Sequence, residues 1–213
     1  MVGPPSVHQA EHEEGTEDRM SAVEQIEYVS VERAIPMRRV WAMPDSCTFN
    51  IPPIRSLVRS YLHKATVSVD PFARNKQWAT YTNDLNPETA AEYHVDAGDF
   101  LQTLVGREVK ADLVIFDPPY SLHQAKECYA DVGRKFMMAD AQNVGRWTRE
   151  RELIARLCRP GGIVITCGWN SQGVGLQHDF EQVEILLVCH GGAHNDTIVT
   201  VERKIESKQI SLL

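Results

Sequence analysis

The most informative residues of the chain stand where an apolar stretch, Val114–Phe116, ends in Asp117, Pro118, Pro119 and Tyr120. An ionised aspartate only accepts hydrogen bonds, and a proline keeps its carbonyl acceptor while lacking an N–H donor. Two acceptors side by side can hold both N–H bonds of an amine and leave its lone pair free to react. A neighbouring tyrosine ring can stack on a planar group. Residues of these types at the end of a strand are therefore suited to holding an N–H donor on a planar group.

Three further acids, Asp70, Asp84 and Asp96, follow short apolar stretches upstream of Asp117. In open α/β sheets ligands bind at the carboxyl ends of the strands, where such acids would meet. A carboxylate after the second strand can accept both hydroxyls of a ribose, and one after the third can accept from an adenine amino group. Any one of these aspartates could instead be an ordinary helix N-cap, where aspartate is favoured.

Together these features resemble the class I S-adenosylmethionine-dependent amino-methyltransferases. Asp117, Pro118, Pro119 and Tyr120 look like the catalytic motif of enzymes that modify N6 of adenine or N4 of cytosine, and the ordered acids look like cofactor motifs. The resemblance spans about Phe49–Glu202. It implies S-adenosylmethionine as the cofactor and favours N6 of adenine in DNA as the target, with those four motif residues as the catalytic group.

The same resemblance implies a set of cofactor contacts, with one departure. The expected residues are Phe49, Ile51, Asp70, Pro71, Phe72, Arg74, Asp84, Leu85, Asp96, Ala97 and Phe100. Leu85 or Phe100 would cover the adenine. The family has a loop of the type Asp-Pro-Phe-x-Gly-x-Gly after its first strand, but this chain reads Ala73-Arg74-Asn75 in place of the glycines. Arg74 is expected to bind the cofactor's carboxylate instead.

Substrate contacts are expected around the segment that follows the catalytic motif, residues 121–151. This segment combines basic and aromatic side chains, which indicates a lid that binds phosphates and guides a flipped base, although a solvated surface fits the same composition. The predicted substrate-binding residues are Ser121, Arg134, Lys135, Trp169, Asn170, His194 and Asn195. No metal is expected, because methyl transfer needs none.

Short apolar strands alternate with helical patterns from Phe49 onward, which predicts a mostly parallel sheet covered on both faces. The predicted strands are Thr66–Val69, Ala79–Asn83, Tyr93–Val95, Leu113–Phe116, Ile163–Cys167, Val183–Cys189 and Thr197–Glu202. A first helix is predicted to begin at Pro52. Three further helices are predicted over Pro87–Glu92, Ala97–Leu104 and Arg149–Leu157. Only seven residues join the last two strands, which are therefore antiparallel. The fold class is α/β, a Rossmann-like class I methyltransferase fold with a seven-stranded sheet and a final antiparallel hairpin.

The acidity of the chain, with a net charge of −7, is confined to its beginning. Residues 1–32 hold eight of the 29 acids and one of the 22 bases, so residues 33–213 carry 21 of each. This composition predicts a disordered acidic tail over 1–32 and a single domain over 33–213, and it does not exclude DNA as a partner. Five cysteines without a CxxC pair favour a reducing cytoplasm, and no apolar run approaches the length needed to cross a membrane.

Three alternatives remain open from the sequence. Related motifs occur in enzymes that methylate N2 of guanine in RNA, and N4 of cytosine is a close chemical alternative. The missing glycines also suit a catalytically silent methyltransferase-fold subunit that supports a partner.

Charge reversal of Arg134 and Lys135 is expected to weaken the binding of DNA and to flatten its salt dependence, because fewer phosphates would be neutralised. Fluorescence anisotropy with a labelled duplex at several salt concentrations measures both quantities. Unchanged binding would contradict a phosphate-binding role for this pair.

Overall fold

The computed structural model describes residues 34–137, 147–192 and 194–206. The described residues belong to one compact unit, Ala34–Leu213, and the predicted tail over 1–32 lies outside the described residues. These ranges contain seven strands: β1 Met37–Trp41, β2 Ser68–Asp70, β3 Tyr81–Thr82, β4 Ala111–Phe116, β5 Cys158–Gly168, β6 Phe180–Cys189 and β7 Thr197–Lys204. The α-helices within them are α1 Pro52–Leu62, α2 Ala97–Gly106, α3 Leu122–Asp131 and α4 Thr148–Leu157, with short 3₁₀ turns at Thr48–Asn50 and Leu176–His178.

The seven strands form one sheet in the order β1-β6-β7-β5-β4-β2-β3. All neighbours are parallel except at β7, which runs antiparallel to both β5 and β6. The mostly parallel sheet and its final antiparallel hairpin are thus confirmed. This arrangement brings the carboxyl ends of β2, β3, β4 and β5 to one edge.

Helices cover both faces of the sheet, as the alternation along β4 requires. Val114 and Phe116 pack in one buried cluster with α2 and α4, whereas Leu113 and Ile115 pack in the other with α1. Successive side chains of a strand point to opposite faces, so a strand buried on both sides must be apolar throughout. This double burial fixes β4 in the middle of the fold and places Asp117 at its carboxyl end.

Two features of the sheet differ from the prediction. The expected third strand at Tyr93–Val95 is reduced to a single bridge between Asn83 and Tyr93. The side chain of the buried Asn83 connects this segment to the loop after β2 instead, since its amide nitrogen donates to the carbonyls of Pro71 and Val95 at 3.1 and 3.0 Å. The edge strand β1 was not predicted. Arg38 and Arg39 are adjacent and both exposed, so this strand lacks the alternation of apolar and polar residues that indicates a half-buried strand.

Two features of the helices also differ. The helix predicted at Pro87–Glu92 is wrong, because Asn86 closes a turn there with Thr89 and caps the N–H of Glu88. Conversely, α3 was not predicted as a helix. Its single buried residue, Ala125, gives no apolar periodicity. Its cap is polar: Ser121 accepts from the N–H of Gln124, whose side chain accepts from the N–H of Tyr120.

All five cysteines are free, and three of them, Cys158, Cys167 and Cys189, are buried. Within the described residues, the helices are too short or too polar to span a lipid bilayer.

A buried carboxylate holds the loop between β5 and β6. Glu202 is fully buried and accepts from the N–H groups of Val174 and Gly175 at 2.6 and 2.9 Å. Gly173 adopts a φ of +59°, and a Cβ added at this position would overlap the Glu202 carboxylate. The loop therefore requires glycine both for its backbone conformation and for the space beside Glu202.

Gly173→Ala is expected to lower the free energy of unfolding by about 2 kcal/mol or more, from left-handed strain plus disturbed hydrogen bonds to a buried charge. Gly133→Ala is the matched control, since Gly133 has a φ of +67° and none of the described residues comes within 4 Å of its Cβ position. The control should lose only about 1 kcal/mol from strain. Urea unfolding of both variants measures the difference, and equal losses would contradict the role given to Glu202.

Candidate functional site

A cleft of about 640 Å³ opens at the carboxyl edge of β2, β3 and β4. Its volume is that of a pocket for a small organic ligand. Predicted catalytic and cofactor residues share its lining: Phe49, Pro71, Phe72, Arg74, Asp84, Leu85, Asp96, Ala97, Asp117, Pro118, Pro119 and Tyr120. Residues that are far apart in the sequence therefore meet where the fold predicts a ligand site.

Asp117 and Tyr120 are joined by a short hydrogen bond at the inner wall of the cleft. The Tyr120 hydroxyl donates to Asp117 Oδ1 at 2.5 Å, and the hydroxyl of Thr48 lies 3.3 Å from the Tyr120 hydroxyl. Pro118 lines the same wall, and among the described residues none donates to its carbonyl oxygen. The second Asp117 oxygen and the Pro118 carbonyl are therefore acceptors that a ligand could use.

The surroundings of Asp117 act on its charge in opposite directions. Burial raises the pKa of Asp117 above its ordinary value, while hydrogen bonds from Tyr120 and Thr48 and the charge of Arg74 lower it. Burial and the neighbouring Asp117 raise the pKa of Tyr120 well above 10, so the tyrosine remains a protonated donor. The tyrosine hydroxyl therefore favours the ionised form of Asp117.

Asp84 and Asp96 lie across the cleft with their carboxylates partly engaged by backbone. Asp84 accepts from the N–H groups of Arg74 at 3.1 Å and Asn86 at 2.9 Å. Asp96 is the N-cap of α2 and accepts from Gly98 N at 3.0 Å, so the helix-cap interpretation holds for this residue. Each carboxylate oxygen has more than one acceptor site, so a bound group could add further hydrogen bonds.

Arg74 has a left-handed backbone, with φ of +50°, at the first position where the family loop has glycine. Its guanidinium donates to the carbonyl of Ser46 at 2.7 Å, across the mouth of the cleft. A non-glycine residue in this conformation costs about 1–2 kcal/mol, which the bonds to Asp84 and Ser46 offset. The loop keeps the conformation of a glycine loop while placing a cation at the cleft.

An aromatic group forms the apolar wall. The ring of Phe72 lies 5.8 Å from Phe116 and 5.6 Å from Trp147, measured between centroids. Trp147 was not predicted at the cleft, and it is positioned by a left-handed backbone, with φ of +49°, just before α4. Thr48, Asn83 and Gln124 also contribute to the cleft without having been predicted. Nothing in the local sequence around Trp147 signals this role.

A second cavity of about 310 Å³ lies beyond Tyr120 and shares Ser46, Thr48, Tyr120 and Gln124 with the cleft. Trp169, His194 and Asn195, three predicted substrate residues, line it. The Trp169 ring meets Tyr120 edge-on at 5.8 Å between centroids. His190 also lines this cavity, but its ring nitrogens are bonded to Ala42 O and Thr197 Oγ1, both at 2.9 Å. The two cavities therefore adjoin at Tyr120.

Several predicted residues do not line the cleft. Asp70 is buried below it and accepts from Phe72 N at 3.0 Å. Phe100 is fully buried against Tyr93. Of the two residues expected to cover the adenine, only Leu85 therefore lines the cleft. Ile51 lines the second cavity rather than the first.

The remaining predicted substrate residues have structural contacts. Ser121 caps α3, and Asn170 accepts from Gln172 N at 3.0 Å. Arg134 lies 3.4 Å from Asp96 Oδ2, with its guanidinium 4.7 Å from the centre of the Tyr129 ring. Lys135 is exposed. Part of the 121–151 segment, residues 138–146, lies outside the described residues.

No protein-family model and no curated protein matches this chain. Among solved structures, it is similar to NodS, an N-methyltransferase from Bradyrhizobium japonicum in complex with S-adenosylhomocysteine, at 13% identity and a TM-score of 0.46, covering 71% of this chain and 85% of that one. It is also similar to NSun6 from Pyrococcus horikoshii, at 11% identity and a TM-score of 0.46, covering 69% of this chain and 50% of that one. A third similar structure is a candidate SAM-dependent methyltransferase from Streptococcus mutans, at 11% identity and a TM-score of 0.43, covering 68% of this chain and 48% of that one. The chain spans about half the length of the latter two. At this degree of similarity, function must be argued from the residues of the cleft.

Tyr120→Phe is expected to raise the pKa of Asp117, because it removes a hydrogen bond that favours the ionised carboxylate. The carboxylate of the variant should therefore take up a proton at a higher pH than in the unmodified chain. Carbon NMR of labelled aspartate carboxyls, assigned with Asp117→Asn, measures the titration. Thr48→Val should raise the pKa to a smaller extent, and a lower or unchanged Asp117 pKa in Tyr120→Phe would contradict the arrangement.

Proposed function

We propose that this chain transfers a methyl group from S-adenosylmethionine to the exocyclic amino group of a nucleic-acid base, N6 of adenine in DNA. The observation that carries the proposal is the meeting of Asp117 and the Pro118 carbonyl with the acids of β3 and α2 in one cleft. The cofactor would supply an electrophilic methyl group. The chain's own residues bind it, orient the amine and exclude water.

The amine half of the site accounts for the choice of reaction. An exocyclic amine is a poor nucleophile because its lone pair is shared with the ring. Hydrogen bonds from its two N–H groups to Asp117 and the Pro118 carbonyl would favour a more tetrahedral nitrogen and free the lone pair. The hydrogen bond from Tyr120 favours the ionised form of Asp117, which only accepts, so catalysis is mainly positioning.

The cofactor half of the cleft fits an adenosine joined to an amino acid. Asp84, after β3, would accept the ribose hydroxyls, and Asp96 would accept from the adenine amino group. Leu85, Phe72 and Trp147 supply apolar surface for the adenine. Arg74 provides a cation for the carboxylate that the amino-acid part carries. The cleft volume of about 640 Å³ accommodates a molecule of this size.

The base would enter from the second cavity. Trp169 is 43% exposed and lies beside Tyr120, so the two rings offer an aromatic surface for a base taken out of its stack. His194 and Asn195 offer polar groups for the edge of that base. The target amine would then arrive at the wall shared by the two cavities, beside Asp117.

One observation favours a second candidate, a catalytically silent subunit with this fold. Arg74 stands where the family loop has glycine, and its side chain crosses to Ser46 at the mouth of the cleft. A side chain there restricts how closely the backbone approaches a cofactor. The intact Asp117–Tyr120 motif supports the enzyme instead.

Asp117→Asn is expected to lower methyl transfer by about 100-fold or more, as when a preorganised polar group is removed from an active site. S-adenosylmethionine binding should remain, because the side chain holds the amine. Asp99→Asn is the control, since Asp99 lies exposed on α2 and pairs with Arg149 of α4. Incubation with labelled cofactor and unmethylated DNA, followed by nucleoside mass spectrometry, measures the product.

The outcomes separate the alternatives. Methyladenine that disappears in Asp117→Asn and persists in Asp99→Asn supports the proposal. Absence of methyladenine on every DNA tested contradicts it, and methylated guanine on RNA or N4-methylcytosine on DNA would redirect the target. No heat of binding with S-adenosylmethionine in calorimetry supports the silent subunit.

A further inference from the structure

We propose that a surface beside the cleft, formed by Arg55, Arg59, Lys64, Arg74 and Lys76, binds the phosphate backbone of a nucleic acid. This basic strip lies on α1 and on the loop between β2 and β3. The inference rests on the proposed function, and it assigns the backbone-binding role to a surface other than the segment at 121–151.

The charge of the strip is visible in the sequence once the fold is known. Between Asp45 and Asp84 the chain holds these five basic residues and a single acid, Asp70, which is buried in the sheet. Four of the five basic side chains are exposed, and Lys76 is half-buried. Within the described ranges, none of the five forms an ion pair with an acid. Their charges are thus not neutralised by direct pairing there.

Trp78 organises the middle of the strip. The guanidinium of Arg59 lies 5.1 Å from the centre of its ring and the ammonium of Lys76 lies 5.3 Å from it. The ring also contacts Phe49, at 5.9 Å between centroids, and Phe49 lines the cleft. Cation–π contacts of this kind hold two long side chains in place without neutralising their charge. The cations are therefore ordered in advance of binding an anion.

The strip is continuous with the mouth of the cleft. Arg74 lines the cleft, and Lys76 donates to Asn50 Oδ1 at 2.8 Å, beside the turn that carries Thr48 and Phe49. Arg55 and Arg59 are one helical turn apart on the same face of α1, and Lys64 follows just after the helix ends. A nucleic-acid strand lying along these residues would therefore reach the turn whose Thr48 lines both the cleft and the second cavity, through which the base would enter.

The side of the cleft formed by α3 has the wrong charge for this task. Glu127 and Asp131 of α3 line the cleft together with Asp96, which contacts Tyr129 of the same helix. Arg134, predicted to bind phosphates, is in contact with Asp96 and Tyr129 instead. A phosphate backbone approaching that side would meet carboxylates, whereas the α1 side offers unpaired cations.

The spacing of the strip indicates an extended polyanion rather than a single phosphate. Arg55 and Lys64 are nine residues apart, about 14 Å along a helix axis, so their groups do not converge on one anion. Nucleic acids present phosphates at regular intervals over such a length, and guanidinium groups pair well with them. The neighbouring aromatic ring and the second cavity proposed for a flipped base favour a nucleic acid over an acidic protein segment.

The experiment compares the full chain with Arg55→Gln/Arg59→Gln, using an end-labelled 20-base-pair DNA duplex and the matching single strand. Anisotropy titrations at several salt concentrations should show roughly tenfold weaker binding for the variant. The slope of log affinity against log salt should be shallower by about 2, one unit for each lost phosphate contact, and the loss should be the same for unrelated DNA sequences.

Arg107→Gln is the matched control. Arg107 also stacks on an aromatic ring, with its guanidinium 5.8 Å from the centre of the Tyr93 ring, but it follows α2 on the other face of the sheet. Its replacement should leave affinity and salt slope unchanged. Equal losses in both variants, or loss confined to charge reversal of Arg134 and Lys135, would overturn the proposal.

Two further outcomes distinguish this inference from the proposed function. If DNA binding depends on the strip but no methyl transfer occurs, the phosphate-binding role of the strip is supported and the proposed enzymatic function is contradicted. Methyl transfer to DNA that is unaffected by Arg55→Gln/Arg59→Gln at all salt concentrations refutes the strip alone. If a peptide of residues 1–32 binds the unmodified chain and not the variant, while DNA binds neither, an acidic protein segment is the partner and the proposal is overturned.

Discussion

Carboxyl groups meet at the carboxyl edge of the central strands, and the cost of removing them from water is the constraint on which the site depends. Burial, opposed by a hydrogen bond from Phe72 N and reinforced by the charges of Asp117 and Asp84, raises the pKa of Asp70 well above its ordinary value. Burial also raises the pKa of Asp117, while Tyr120, Thr48 and Arg74 lower it. The two neighbouring acids therefore share the same cost but differ in the groups that offset it, a backbone N–H for Asp70 and side-chain hydroxyls with a cation for Asp117.

Arg74 connects this electrostatic problem to the backbone. The loop after β2 adopts the left-handed turn that glycine would provide without strain, yet it has an arginine there, bonded to Asp84 through its backbone and to Ser46 through its side chain. Arginine in place of glycine prevents the backbone from approaching a ligand closely, but it places a positive charge beside Asp117. The same residue begins the basic strip, so the reaction centre and the backbone-binding surface share one cation.

Much of the fold could be predicted because burial controls it. The apolar residues of β4 and the short link between β6 and β7 defined the parallel sheet and its reversed strand. The residues that escaped prediction owe their positions to polar or long-range contacts. Examples are α3, which is capped by Ser121 and Gln124, and Asn83, whose side chain replaces strand pairing.

The site shows the same division. Asp84, Asp96 and Asp117 were predicted to converge because strand ends in a parallel sheet share an edge. Trp147 could not be predicted at the cleft, because only the packing of Phe72 and Phe116 places it there. The basic side chains near Trp78 looked like ordinary surface residues until α1 was placed against the loop of Arg74.

The edge strand β1 has a consequence for how the protein can be divided. Five of its residues pair with Ile185–Cys189 of β6, and bonds from Ile185 N to Pro36 O and from Ala42 N to Cys189 O extend the ladder at both ends. Without it, β6 would present unpaired backbone groups beside the apolar side chains of Leu186 and Val188, a surface prone to self-association. A fragment cut at Phe49, where the recognisable motifs begin, would therefore retain Asp117 and Tyr120 but lose Ser46 and Thr48 of the cleft, together with the strand that covers the edge of β6.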